Sequence, residues 1–166
     1  MTSQCINTLT VTGTHVLVEQ LWKTVAGEGT ALSLDIILPT PTHLLDRDRA
    51  VHLENDEYLS LLWTEPHTEE QLEAENWYTW RVRNWGTKFD VRAEKVCTVT
   101  DDDGISISAT RYLSAGSPPI EALDALAGHW PTLVFEATYE EPDADICGAL
   151  TWVGGAIVEH SEGSMR

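Results

Sequence analysis

Apolar and polar side chains alternate in "CINTLTV" (5–11), which puts Cys5, Leu9 and Val11 on one face and predicts a half-buried first strand. The period then changes. Val18, Leu21, Trp22 and Val25 follow the helical i, i+3, i+4, i+7 stripe, with Thr14 placed to cap it and Gly27 to stop it. "ALSLDIIL" (31–38), ended by Pro39 and Pro41, predicts a second strand. Residues 39–68 hold no sustained period beyond the short apolar run "YLSLLW" (58–63), so they read as an insertion with room for one short helix.

From Glu69 to Asn84 the charges are ordered as a helix prefers. Glu69, Glu70, Glu73 and Glu75 lie in the first turns and Arg81 and Arg83 in the last, with Gly86 just beyond as a left-handed cap. Two strands follow, "KVCTVT" (95–100) and "ISISATRYL" (105–113), joined by Asp101, Asp102, Asp103 and Gly104. A hairpin turn accounts for that join, since the twelfth-position glutamate and the ligand spacing of a calcium loop are missing.

Ser117 as cap and Pro118 at the first helical position start a helix that buries Ile120, Leu123, Ala127 and Trp130 and stops at Pro131. "TLVFEATY" (132–139) sends Leu133, Phe135, Ala137 and Tyr139 to one face, and 146–152 with 156–160 form a hairpin around Gly154 and Gly155. Strands that give way to helices and return imply an α+β fold with one mainly antiparallel sheet and helices on one face. A chain of 166 residues suits a single domain over 1–166, with the insertion at about 39–68.

Composition narrows the class. Hydrophobic residues make up 42%, yet no window approaches the ~20 apolar residues of a membrane span. The opening "MTSQCINTLTVTG" has neither the basic nor the apolar segment of a secretory signal, which predicts a cytoplasmic protein. Cys5, Cys97 and Cys147 are odd in number and lie in apolar or alternating runs, so buried free thiols are expected. The formal charge is −17, from 27 acidic and 10 basic residues. It is unevenly spread: Arg81, Arg83, Lys88, Arg92 and Lys95 against Asp90 and Glu94 make 81–95 a +3 island, leaving −20 elsewhere. Such a field repels nucleic acid and draws in basic partners.

Catalytic signatures are missing. There is no G-x-S-x-G, and no cysteine has a local histidine partner. "GTK" (86–88) lacks the spacing of a phosphate loop and follows a helix, whose C-terminal dipole has the wrong sign for phosphate. His15, His43, His52, His67, His129 and His160 show no zinc spacing, and "YEEPDAD" (139–145) reads as a solvated turn. No metal and no cofactor is expected, and the chain reads more as a binding protein than an enzyme.

"NWYTWRVRNWGTKFD" (76–90) is the candidate site. Trp77 and Trp80 can pack on one helix turn, Trp77 and Arg81 are spaced for a cation–π pair, and Trp85 can staple the helix end. Core tryptophans with arginines as dipole partners explain part of this. A recognition patch explains it too, because Trp and Arg are enriched at binding hot spots. Stacking of single-stranded nucleic acid is disfavoured by the surrounding acidity.

The chain resembles the YubB-like ferredoxin-like proteins of phages and conjugative plasmids. The likeness rests on "CINTLTVTG" (5–13), the N-W-G-T-K core within 76–90, "SATRYLSAGSPPIEALDALAGHWPTLVFEATYEE" (108–141) and "CGALTWVGG" (147–155), with Phe89 where that family has tryptophan. It implies a ferredoxin-like fold, a mobile-element origin in a bacterial host, and no reaction. Asn84, Trp85, Gly86, Thr87, Lys88 and Asp90 match its motif and, with Trp77, Trp80 and Arg81, are the expected binding residues.

The leading expectation is an acidic accessory protein that binds a host protein and inhibits a defence or nucleic-acid enzyme, its charge imitating DNA. The alternative is a small-ligand or nucleotide-binding module using Asn84, Lys88 and Asp90. A third reading makes the motif structural, with Asn84 and Asp90 satisfying backbone groups at a buried helix end.

Overall fold

In a computed structural model, residues 3–42, 44–45 and 76–166 are described. The alternation of the first segment extends over β1 (Gln4–Thr14), the central strand of a seven-stranded antiparallel sheet. It pairs with β4 (Ile105–Ala115) on one side and β5 (Val134–Glu141) on the other. Beyond β5 come β6 (Ile146–Val153) and β7 (Ala156–Ser164), while β2 (Arg92–Ala93) and β3 (Cys97–Thr100) share the outer side of β4.

Cys5, Leu9 and Val11 of β1, Phe135, Ala137 and Tyr139 of β5, and Leu150 and Trp152 of β6 are buried on one face. Helix α1 (His15–Val25) covers it with Val18, Leu21 and Val25. A second helix adds Leu123, Leu126 and Ala127. The opposite face is open, with Ile107 of β4 55% exposed. Glycine in the left-handed region closes two of the hairpin turns, Gly104 at φ 79° and Gly154 and Gly155 at 64° and 81°, while Asp145 takes φ 57° in the turn between β5 and β6. Thr14 occupies the N-cap position of α1 without a side-chain bond, and the His15 N–H donates to the Gly104 carbonyl at 2.9 Å instead.

Four expectations are corrected. Residues 31–38 form no strand: Ser33 caps a one-turn helix α2 (Leu34–Ile37), its hydroxyl accepting from Ile36 N–H. Ser117 does not cap the helix that follows it; its hydroxyl donates to the Gly86 carbonyl at 2.5 Å. That helix begins two residues after Pro118. Cys97 is exposed and Cys147 half-buried, so Cys5 alone is a buried thiol. Ile120 and Trp130 are only partly buried, and Ala122 and Leu126 complete the stripe they were expected to share.

The helix predicted over 69–84 is observed as α3 (Trp77–Trp85), and the other long helix is α4 (Ile120–His129). Residues 69–75 and most of the expected insertion, including 58–63, lie outside the described residues. Among the described residues no helix is long and apolar enough to cross a membrane.

Candidate functional site

Helix α3 is delimited at both ends by local chemistry. The Asn76 side chain accepts from Thr79 N–H at 2.7 Å, and Gly86, at φ 85°, donates its N–H to the Val82 carbonyl. Within this frame the expected residues divide by direction.

Most turn inward. Trp85 is fully buried and donates its indole N–H to the Leu38 carbonyl at 2.8 Å, with Trp80 edge-on to it at 6.2 Å. Arg81 lies 4.9 Å from the Trp77 ring and 4.6 Å from that of Trp85, and its Nε donates to Thr40 Oγ1 at 3.0 Å. Asn84 Nδ2 donates to the Trp80 carbonyl at 2.8 Å, and Thr87 Oγ1 to that of Ala115 at 2.9 Å. The Asp90 carboxylate accepts three bonds: from Ser33 Oγ at 2.6 Å, Leu34 N–H at 2.6 Å and Val91 N–H at 2.8 Å. The loop after α3 therefore ties that helix to α2, to the end of β4 and to the approach to α4. Asn84 Nδ2 and the Asp90 carboxylate both engage backbone groups.

Lys88 and Trp77, both half-buried, instead adjoin exposed residues that were not in the expected set. Tyr78 is 46% exposed, Val82 44% and Phe89 48%. Lys88 Nζ sits 5.3 Å from the Phe89 ring and 5.7 Å from that of Tyr78, while Trp77 contacts Tyr78 at 6.1 Å and Phe89 at 6.0 Å. A cation beside two exposed aromatic rings, with Trp77 packed behind both, is a surface suited to protein contact. Beside it Phe89 and Asp90 border a recess of about 290 Å3 shared with Gln4 and Leu113.

A second concavity was not among the expected sites. An apolar groove of about 410 Å3 runs between α1 and β3, lined by His15, Val18, Trp22, Ala26, Val96 and Thr98 among others. Its origin is an inverted alternation in β4, where Ser106, Ser108 and Thr110 are buried and Ile105 and Ile107 exposed. The small side chains leave room for Trp22, whose indole N–H donates to Ser108 Oγ at 2.7 Å, and put Ser106 Oγ 3.0 Å from His15 Nδ1. Thr100 Oγ1 completes the cluster, 2.7 Å from Ser106 Oγ. The signal was present in "ISIS", because alternation fixes two faces without saying which one is inside. Among the described residues no group of three or more His, Cys, Asp or Glu is arranged to hold a metal.

Neither a protein-family model nor a curated protein sequence matches the chain. Its fold is similar to the crystal structure of the protein api92 from Yersinia pseudotuberculosis, of family DUF1281, with a TM-score of 0.57 over 100% of this chain and 99% of that one. Sequence identity is 13%, so the likeness is one of fold.

Proposed function

We propose that the protein is an acidic protein-binding module that docks a host protein through Trp77, Tyr78, Lys88 and Phe89. The observation that carries this reading is the division of the motif: one half is bonded within the fold and secures the loop, and the other leaves Tyr78 and Phe89 exposed with the half-buried Lys88 beside both rings. Exposed aromatic side chains held on a rigid support are typical interface anchors. The acidic remainder of the chain would attract a basic partner and exclude nucleic acid. A nucleic-acid enzyme or defence protein of a bacterial host has the required basic surface, and mobile-element origin with action in the cytoplasm belongs to the same proposal.

A finer fold reading goes with it. The order β1, α1, β3, β4, α4, β5 along the chain, with β5-β1-β4-β3 across the sheet, supports a ferredoxin-like core with β6 and β7 added and an insertion after α1.

The test compares proteins retained from host lysate by the wild type and by Tyr78→Ala/Phe89→Ala, at low and high salt. A partner held by the wild type, lost with the variant and weakened by salt is expected. Identical retention by the variant would remove the patch from the function.

The groove between α1 and β3 favours a second reading, a module for a small apolar or aromatic ligand. Filling it by Thr98→Trp should abolish any thermal shift produced by a panel of nucleotides and aromatic metabolites. No shift from any of them in the wild type would count against this reading.

A further inference from the structure

The two edges of the sheet differ in how they are protected. Outermost strand β7 carries Glu159 and Glu162 and has a register break opposite Thr151 and Trp152, and charges and bulges both obstruct edge-to-edge pairing. On the other edge β2 is covered, because Ala93 N–H donates to Thr30 Oγ1 at 2.8 Å and Ala31 N–H to the Ala93 carbonyl at 3.5 Å. Strand β3 has no such cover: among the described residues it pairs with β4 alone, and all four of its residues are exposed, Val99 by 76%. Cys97-Thr98-Val99-Thr100 contains no charge and no proline, and its register with β4 is unbroken.

Backbone direction follows from the turn. Asp101 N–H donates to the Ile105 carbonyl at 2.9 Å, so by alternation Val99 and Cys97 direct their backbone groups toward β4, and Thr98 and Thr100 direct theirs outward.

We infer that β3 is a self-association edge: a second copy of this chain pairs with it, antiparallel, about a two-fold axis through Thr98. In that register Thr98 faces Thr98 of the second copy, Cys97 faces its Val99, and Val96 its Thr100. Lys95 and Asp101 bracket Thr98 at equal distance, so each lies opposite its complement at both ends of the contact. Charge selects a second copy in another way. Residues 92–113 hold Arg92, Lys95 and Arg111 against Glu94, Asp101, Asp102 and Asp103, a net −1 on a chain of −17, so two copies can meet here with little repulsion. The threonine pair and the Val–Cys pairs are favourable cross-strand neighbours, and on the open face the latter adjoin exposed Ile105 and Ile107. So short a strand buries less than the ~1,600 Å2 of a standard interface, which makes the association concentration-dependent.

Sedimentation velocity over about a hundredfold range of concentration should show the wild type passing from monomer to dimer. Thr98→Lys should stay monomeric with an unchanged circular-dichroism melt. Residues 97 and 99 of the two copies form a non-hydrogen-bonded pair with Cα atoms about 4.5 Å apart, within disulfide reach. Val99→Cys should therefore give a covalent dimer through Cys97 on mild oxidation, and Cys97→Ser/Val99→Cys should not. A wild type that stays monomeric, a Thr98→Lys variant that still dimerises, no cross-link in Val99→Cys, or one that persists in the double variant would each overturn the proposal.

Discussion

The Tyr139 hydroxyl donates to Glu162 Oε2 at 2.5 Å from two strands away, its ring lying across Gly148. Register explains the alignment: Tyr139 on β5 faces Gly148 on β6, which faces Glu162 on β7. A Cβ at 148 would overlap the ring at Cζ. Gly148→Ala should therefore destabilise the fold by about 1–3 kcal/mol through overpacking. Tyr139→Phe, which keeps the ring and removes one hydrogen bond, should cost about 1 kcal/mol. Urea titration of both variants gives the comparison, and equal losses would refute the steric account.

Gly86 has two independent reasons to be glycine. Its φ is 85°, and a Cβ there would lie 2.9 Å from the Pro118 carbonyl oxygen and overlap the Glu121 carboxylate. Gly29 has φ 70° with open space around it. Gly29→Ala should thus cost about 1 kcal/mol, the left-handed penalty alone, and Gly86→Ala distinctly more, by the added clash. Thermal melting ranks them.

Asp90→Ala should remove three accepted bonds and leave Leu34 N–H without its partner, costing about 1–3 kcal/mol. Asp90→Asn keeps a carbonyl oxygen for the backbone donors and should lose less. If the two variants melt together, the carboxylate's role at α2 is smaller than the geometry implies.

Burial pushes the Cys5 thiol up from its ordinary 9.0 to about 11, the hydrogen bond with Ser114 opposing it, and burial also raises the phenols of Tyr112 and Tyr139. Between pH 9 and 11 the folded chain holds a proton at Cys5 that the unfolded chain has released. That contribution to stability is complete below pH 9 and is lost as pH rises through about 11. Denaturation midpoints measured across this range should fall, more steeply than in Cys5→Ala. Alkylation at neutral pH, mapped by mass spectrometry, should modify exposed Cys97 first and Cys5 only on unfolding.

Local pattern made much of this fold legible. Alternation set β1 and β5, helical spacing set α1, and the Asp101–Gly104 and Gly154–Gly155 turns followed from residues that accept positive φ. The approach of Arg81 to Trp77 was equally readable, since four residues of helix bring two side chains together wherever the helix sits.

What the sequence determined by itself is the set of such short-range consequences: periods, turns, and neighbours within one element. Partners distant in the chain decided the rest. The apolar run at 31–38 became a helical turn because Asp90, 56 residues beyond Leu34, accepts its N–H. Ser117 was drawn from its expected cap to the Gly86 carbonyl. Ser106 and Ser108 took the inside of β4 because His15 and Trp22 of α1 lie within hydrogen-bond reach of their hydroxyls. A hydrogen-bonding group is committed by whichever partner reaches it in space, and position along the chain carries no record of that distance.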